Sequence, residues 1–158
     1  MSNLLALDQA SITSGYAVFK DGVLVNYGKF TFDDSDIPVR LVKIRNKVIS
    51  LIQENDIDEV AFEDIQLQGN VANNVQTFKA LSEVFGVISE TLQEIGIKFT
   101  IDPSSIWKST LGIKGRARAE QKRNAQAYVL ETYDVKAAQD VCDAICIGTH
   151  VLKKPETL

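Results

Sequence analysis

The amino-acid sequence predicts an α/β protein with a mixed five-stranded sheet flanked by helices. Three observations lead to this fold class: an antiparallel meander of three strands at the start, two later strands that each follow a helix, and a length of 158 residues. That length suits one domain with a sizeable core, so we expect residues 1–158 to form a single domain.

The meander is predicted by three closely spaced segments. Residues 4–7 are a short apolar run that ends at Asp8, and residues 15–20 are a second strand. Asp21-Gly22 is a strong signal for a two-residue hairpin, after which residues 23–32 form the third strand.

Helices and strands alternate in the rest of the chain. The order βββαβαβ, followed by helices, places two parallel strands beside the meander, which is the layout of the ribonuclease H-like fold. The predicted helices cover residues 37–52, 78–95, 102–107, 117–133 and 137–152, and the predicted strands cover 59–63 and 97–101. A polar loop is predicted over 66–74. Ser35 or Asp36 is expected to cap the first of these helices, and Asp102 the short helix over 102–107.

Composition favours a cytoplasmic globular protein. No apolar run reaches the ~18 residues that a membrane span needs. The start, Met1-Ser2-Asn3, lacks the charged region of a secretory signal. We therefore expect no membrane segment and a cytoplasmic location.

Several residues of the later helices have a structural interpretation. Cys142, Cys146 and His150 fall along one helical stripe, but three ligands on one straight helix lie too far apart to share a metal ion. We expect the two thiols to pack in the core and His150 to be structural or peripheral. Trp107 is expected to anchor the core.

Four carboxylates form the candidate catalytic centre. Asp8 and Glu63 each follow an apolar strand, and Asp140 and Asp143 share one face of a largely apolar helix. Two acids on a buried helix are unfavourable unless a cation joins them.

Oxygen ligands of this kind suit Mg²⁺, with Mn²⁺ as a substitute, and two such ions can hydrolyse a phosphodiester. Other interpretations stay open: Asp8 as a turn cap, Glu63 as a solvated strand end, Asp140 as a first-turn acid favoured by the helix dipole. The single His and the lack of a Gly-x-Ser-x-Gly motif make a nucleophilic side chain a poor alternative.

A basic segment adds a second functional signal. Net charge is −4, yet residues 108–123 hold six basic residues and only one acid, Glu120. Such a segment can neutralise phosphates, although a solvated helix face has the same pattern. The six are Lys108, Lys114, Arg116, Arg118, Lys122 and Arg123.

At these residues the chain resembles the RuvC-type Holliday junction resolvases over nearly its whole length. The similar motifs are Leu5-Ala6-Leu7-Asp8 with Gly15-Tyr16-Ala17, Ala61-Phe62-Glu63-Asp64, Pro103-Ser104-Ser105-Ile106-Trp107-Lys108, Gly115-Arg116-Ala117 through Gln121-Lys122, and Gln139-Asp140-Val141-Cys142-Asp143-Ala144.

The resemblance implies a homodimer that makes paired nicks across a four-way junction and leaves 5′-phosphate and 3′-hydroxyl ends. It implies that Asp8, Glu63, Asp140 and Asp143 bind two metal ions. It also implies that Lys108 and Lys122 contact phosphate near the scissile bond, with Arg118 as the alternative to Lys122.

One position departs from the family. Cellular members resemble Glu-x-x-Phe after the second acid, where the aromatic ring wedges into the junction, whereas this chain has Gln66 and no aromatic before Phe78. Gln66 and Asn70 are candidate DNA contacts. Since base stacking favours aromatic rings, we expect weaker discrimination between junctions, forks and flaps. The short chain, with little spare surface, fits a phage-encoded member of the family, which would place the protein in the bacterial host cytoplasm.

The helix within residues 72–95 is the candidate dimer seam. Its apolar stripe over 78–95 repeats by three and four, which suits either a helix pair or packing on the sheet.

Three other functions stay open. The acids are compatible with a nuclease for RNA–DNA hybrids or nicked duplex. The Leu7-Asp8 hairpin also resembles the phosphate loop of actin-like ATPases and sugar kinases, although one domain lacks their second lobe. A non-catalytic DNA-binding module is opposed by the four acids, because they repel phosphate unless metal intervenes.

Overall fold

A computed structural model describes residues 2–65 and 71–154, with side chains from residue 75 onward in the helix that begins at Val71. The strands are β1 (Asn3–Asp8), β2 (Thr13–Lys20), β3 (Val23–Thr31), β4 (Glu59–Glu63) and β5 (Lys98–Asp102). The helices are α1 (Ile37–Glu54), α2 (Val71–Ile95), α3 (Ser104–Leu111), α4 (Arg118–Tyr133) and α5 (Gln139–Lys153).

The predicted mixed sheet is confirmed. Its strand order is β3-β2-β1-β4-β5, with β1, β2 and β3 antiparallel and with β4 parallel to both β1 and β5. Because β1 lies at the centre, it is buried on both faces, and its side chains alternate between two cores. The site therefore rests on the most protected strand of the sheet.

The two faces of the sheet carry different helices. Leu5 and Leu7 point to α1 and α2, whereas Leu4 and Ala6 point to α3, α4 and α5. Ala6 pairs with Ala17 on one side and Ala61 on the other. This row of small side chains lets α5 lie close to the sheet, and every residue of α5 from Val141 to His150 is buried except Asp143.

The prediction of a loop over 66–74 is wrong for residues 71–74, which begin α2. Polar residues suit a first helical turn because its N–H groups have no partner within the helix. Residues 66–70, including Gln66 and Asn70, lie outside the described residues.

The predicted cap at Asp102 is also wrong. Pro103 holds the cap position of α3 and makes no side-chain capping bond. Asp102 instead ends β5, where its carboxylate lies 3.1 Å from Nε2 of His150 and accepts a hydrogen bond of 2.6 Å from Nζ of Lys154. Partners distant in sequence thus outcompete the local cap. Asp36 does hold the cap position of α1, but likewise without a side-chain bond.

Other structural predictions are confirmed. Cys142 and Cys146 are free thiols in the core, and His150 and Trp107 are each 2% exposed. Within residues 2–65 and 71–154, no helix combines the length and apolar character needed to cross a bilayer.

Candidate active site

A cleft of about 890 Å³ opens at the edge of the sheet where β1 and β4 end. All four candidate carboxylates line this cleft, together with four of the six basic residues of the 108–123 segment. The charged side chains that line it are Asp8, Glu63, Asp140, Asp143, Lys108, Lys114, Arg118 and Lys122.

Asp8 and Glu63 meet because their strands are parallel neighbours. Leu7 pairs with Phe62 at the end of the ladder, so the next residue of each strand reaches the same edge. Both side chains are only partly exposed. A strand end in a buried sheet therefore holds each acid.

Asp140 and Asp143 come from the start of α5, on the other side of the cleft. Gly15, the cross-strand partner of Asp8, lies directly against the main-chain carbonyl of Asp140. A side chain at position 15 would overlap that carbonyl, so the glycine permits the approach of α5. Asp140 is in the first turn, where an acid also has a favourable dipole interaction.

The acids influence one another electrostatically. Burial raises the pKa of Asp8 well above its ordinary value, and the negative charges of Asp143, Glu63 and Asp140 raise it further. Burial also raises the pKa of Glu63, against the opposing effects of a Trp107 hydrogen bond and two cations. Mutual repulsion in a partly buried cleft favours a bound cation.

The pKa of Asp143 is raised for the same reasons. Burial raises its pKa to about 6, and the charges of Glu63 and Asp140 act in the same direction. A hydrogen bond from Gln139 and the charge of Lys108 oppose the rise in this pKa. The carboxylate thus ionises near neutral pH.

The donor chemistry fits a hard divalent cation. All four acids offer oxygen, which Mg²⁺ and Mn²⁺ prefer. Among the described residues, however, no group of three or more His, Cys, Asp or Glu side chains is arranged so that it could hold a metal ion by itself. An open arrangement of this kind suits ions that retain waters and accept substrate phosphate oxygens as ligands.

The basic residues differ in their electrostatic effect on the candidate acids and in whether they line the cleft. Lys108 lowers the pKa of Glu63 and Asp143, and Arg118 lowers the pKa of Asp8 and Glu63. Lys122 also lines the cleft, so Lys122 and Arg118 both remain candidate contacts for the phosphate near the scissile bond. Arg116 and Arg123 are exposed and do not line the cleft.

Sequence reasoning missed several polar residues of the cleft. The side chain of Gln9 bonds to the main chain of Glu63, Gln139 donates to Asp143, and Gln121 accepts from Lys108. The indole of Trp107 donates to Glu63 although it is also a core residue. In the sequence, the only sign of these contacts is that Gln9 and Gln139 are each adjacent to a candidate acid.

Comparison with known proteins gives a family. The model of the family described as crossover junction endodeoxyribonuclease RuvC matches residues 4–150. The crossover junction endodeoxyribonuclease RuvC of Sulfurovum sp. is 28% identical over 155 residues, which cover 94% of each protein.

Solved structures share the fold. RuvC of T. thermophilus in complex with a Holliday junction substrate has a TM-score of 0.74 at 13% identity, covering 94% of this chain and 91% of that one. Fowlpox virus resolvase in complex with Holliday junction DNA has a TM-score of 0.62 at 13% identity, covering 96% and 99%.

Proposed function

Because the chain belongs to the RuvC family of crossover junction endodeoxyribonucleases, we propose that it resolves Holliday junctions and cuts related forks and flaps, leaving 5′-phosphate ends. The observation that carries this proposal is the cleft in which four carboxylates face four cations. Acids alone would repel a phosphodiester, and cations alone would bind it without cutting.

RuvC-family nucleases depend on divalent metals, and we propose Mg²⁺, two ions per site, with Mn²⁺ as a substitute. Asp8, Glu63, Asp140 and Asp143 would hold them. Held by these residues, the ions would supply activation of a water and stabilisation of the leaving oxygen of the phosphodiester.

The residues of the chain itself supply position and charge. Lys108 is half-buried, and its Nζ donates to Oε1 of Gln121 at 3.1 Å, which aims the ammonium group into the cleft. Arg118, at the start of α4, is the other basic residue that lowers the pKa of the candidate acids. We propose that Lys108 and either Arg118 or Lys122 bind the phosphate that is cut, because charge-assisted bonds to phosphate are strong.

The remaining basic residues extend the DNA track. Lys114 and Lys122 line the cleft, whereas Arg116 and Arg123 do not. We propose that these four contact the flanking backbone, which gives affinity that falls with salt but carries no sequence information. Gln66 and Asn70 stay predicted DNA contacts, and weak junction selectivity stays a prediction. Host cytoplasm is the proposed location.

A homodimer through α2 is supported by one glycine. Ile88 and Leu92 are buried against the core, so much of the predicted stripe packs inward. Gly86 lies on the opposite face, exposed, with nothing within 4 Å of a Cβ built there. An exposed glycine within a helix costs about 1 kcal/mol relative to alanine. A second copy packed closely at Gly86 would offset that cost.

Substrate class is tested by cutting assays with Mg²⁺ on a four-way junction, a fork, a flap, a linear duplex and an RNA–DNA hybrid. We expect cutting of the branched DNAs and little cutting of the others. Preferred cutting of the hybrid, or equal cutting of linear duplex, would overturn the proposal. A Gln66→Phe variant is expected to raise the ratio of junction to fork cutting.

A further inference from the structure

Trp107 makes a contact that a core residue does not need. It is the only tryptophan of the chain and is 2% exposed. It belongs to the buried core cluster that also contains Leu4, Ala61 and the apolar side of α5. Its Nε1, however, donates a hydrogen bond of 3.0 Å to Oε2 of Glu63. The indole therefore joins the core to a candidate metal ligand.

The main chain of Glu63 is held separately by Gln9. The side-chain amide of Gln9 donates to the carbonyl oxygen of Glu63 at 2.5 Å and accepts from its N–H at 3.3 Å. This side chain continues the ladder between β1 and β4 beyond the last paired residues, Leu7 and Phe62. With the backbone fixed by Gln9, rotation of the Glu63 side chain is the remaining freedom, and Trp107 limits it.

The same indole also contacts the basic side of the cleft. Nζ of Lys108 lies 5.3 Å from the centroid of the Trp107 ring. A cation over an aromatic face is attracted by the ring quadrupole. One rigid group thus orients an acid through its N–H and a cation through its face.

We propose that Trp107 is a positioning residue that binds one oxygen of the Glu63 carboxylate and leaves the other to face the metal site. This inference rests on the proposed nuclease function. Partners that orient a metal ligand typically change metal affinity or activity 10–100-fold when removed. Loss of the N–H should therefore weaken divalent-metal binding while the fold survives.

The test variant is Trp107→Phe, which keeps an aromatic ring in the core and removes the N–H donor together with part of the indole ring system. Without DNA, calorimetric titration with Mg²⁺ is expected to show affinity about 10-fold weaker than that of the wild type. In cutting assays, kcat at saturating Mg²⁺ and KM for junction DNA should change less than the Mg²⁺ concentration at half activity.

Tyr133→Phe is the matched control. The hydroxyl of Tyr133 lies 2.6 Å from Oγ1 of Thr149 on the same side of the sheet, away from the cleft. This variant also loses a polar hydrogen from an aromatic ring in that core, but it leaves Glu63 untouched. We expect its metal affinity to equal that of the wild type.

A spectroscopic experiment uses the wild-type chain. Because Trp107 is the only tryptophan, its emission reports on the environment of Glu63. Titration with Mg²⁺ in the absence of DNA should change this emission with the same midpoint as calorimetry, and Glu63→Gln should abolish the change. This experiment decides the matter even where Trp107→Phe does not fold.

The outcomes separate the two proposals. Absence of divalent-metal binding by the wild type would overturn the proposed function and this inference with it. Binding by the wild type, combined with equal affinity in Trp107→Phe or with emission unchanged at calorimetric saturation, would overturn the role of Trp107 alone.

Discussion

The α carbon of Gly15 lies against the main-chain carbonyl of Asp140, with no room for a methyl group between them. Gly15 is also paired with Asp8 across β1 and β2. One glycine therefore sets how closely the acid on β1 and the two acids of α5 approach each other.

The first prediction is that Gly15→Ala separates these acids. The added methyl group must displace α5, at about 1–3 kcal/mol for an overpacked site. We expect a lower Tm and at least a ~10-fold loss of cutting, because small displacements of catalytic groups have large effects on rate. Gln53→Ala, at an exposed position of α1, is the control and should preserve both stability and cutting. Wild-type cutting by Gly15→Ala would contradict the account.

The second prediction concerns pH and the stability of the metal-free protein. The raised pKa of Asp143, about 6 against an ordinary 3.8, means that the folded state binds this proton more tightly than the unfolded state. Below about pH 4, this difference in pKa does not lower the stability of the fold. As pH rises through 6, ionisation of Asp143 destabilises the folded state increasingly. Above that pH, the free energy of unfolding is lower by on the order of 2–3 kcal/mol.

Asp143→Asn should therefore be more stable than the wild type in EDTA at pH 8, by several degrees in Tm. The difference should vanish near pH 4, where both side chains are neutral. Addition of Mg²⁺ should stabilise the wild type more than the variant. Thermal denaturation across this pH range measures all three effects. A variant less stable than the wild type at pH 8 would show that Asp143 is not under electrostatic strain.

The third prediction separates central from peripheral cations. Arg118 and Arg123 are both exposed, but Arg118 lines the cleft and lowers the pKa of Asp8 and Glu63, whereas Arg123 does not line the cleft. We expect Arg118→Ala to reduce kcat by at least ~10-fold, since it removes charge beside the reacting phosphate. Arg123→Ala should leave kcat unchanged, weaken DNA binding most at low salt, and make the affinity less dependent on salt. The reverse order of effects on kcat would refute this assignment.

The fourth prediction addresses the dimer. Gly86→Arg should convert the protein to a monomer, because a long charged side chain prevents close approach of a second α2. The protomer should remain folded, as nothing surrounds position 86. Gln53→Arg, an exposed position of α1, is the control. Sedimentation velocity measures the outcome, and a Gly86→Arg dimer of wild-type stability would place the interface elsewhere.

Much of the fold could be predicted because its signals are local. The hairpin at Asp21-Gly22 and the apolar run before Asp8 report on neighbouring residues. The five strands, their directions and the helix that carries Asp140 and Asp143 follow from such patterns.

The remainder depends on contacts distant in sequence. Asp102 was predicted to cap a helix, but its partners are His150 and Lys154, about 50 residues later. The bond from Trp107 to Glu63 spans 44 residues and leaves no local pattern. Periodicity shows that α2 has an apolar face but does not say what covers it, so only the structure distinguishes its core side from the side of Gly86.

The most direct test of the central claim is the cutting of a four-way junction by the wild type and by Asp143→Asn, in Mg²⁺ and in EDTA. We predict paired nicks with 5′-phosphate ends for the wild type in Mg²⁺, and none in EDTA or with the variant. Cutting in EDTA, or full activity of Asp143→Asn, would contradict a metal-dependent centre built on these carboxylates.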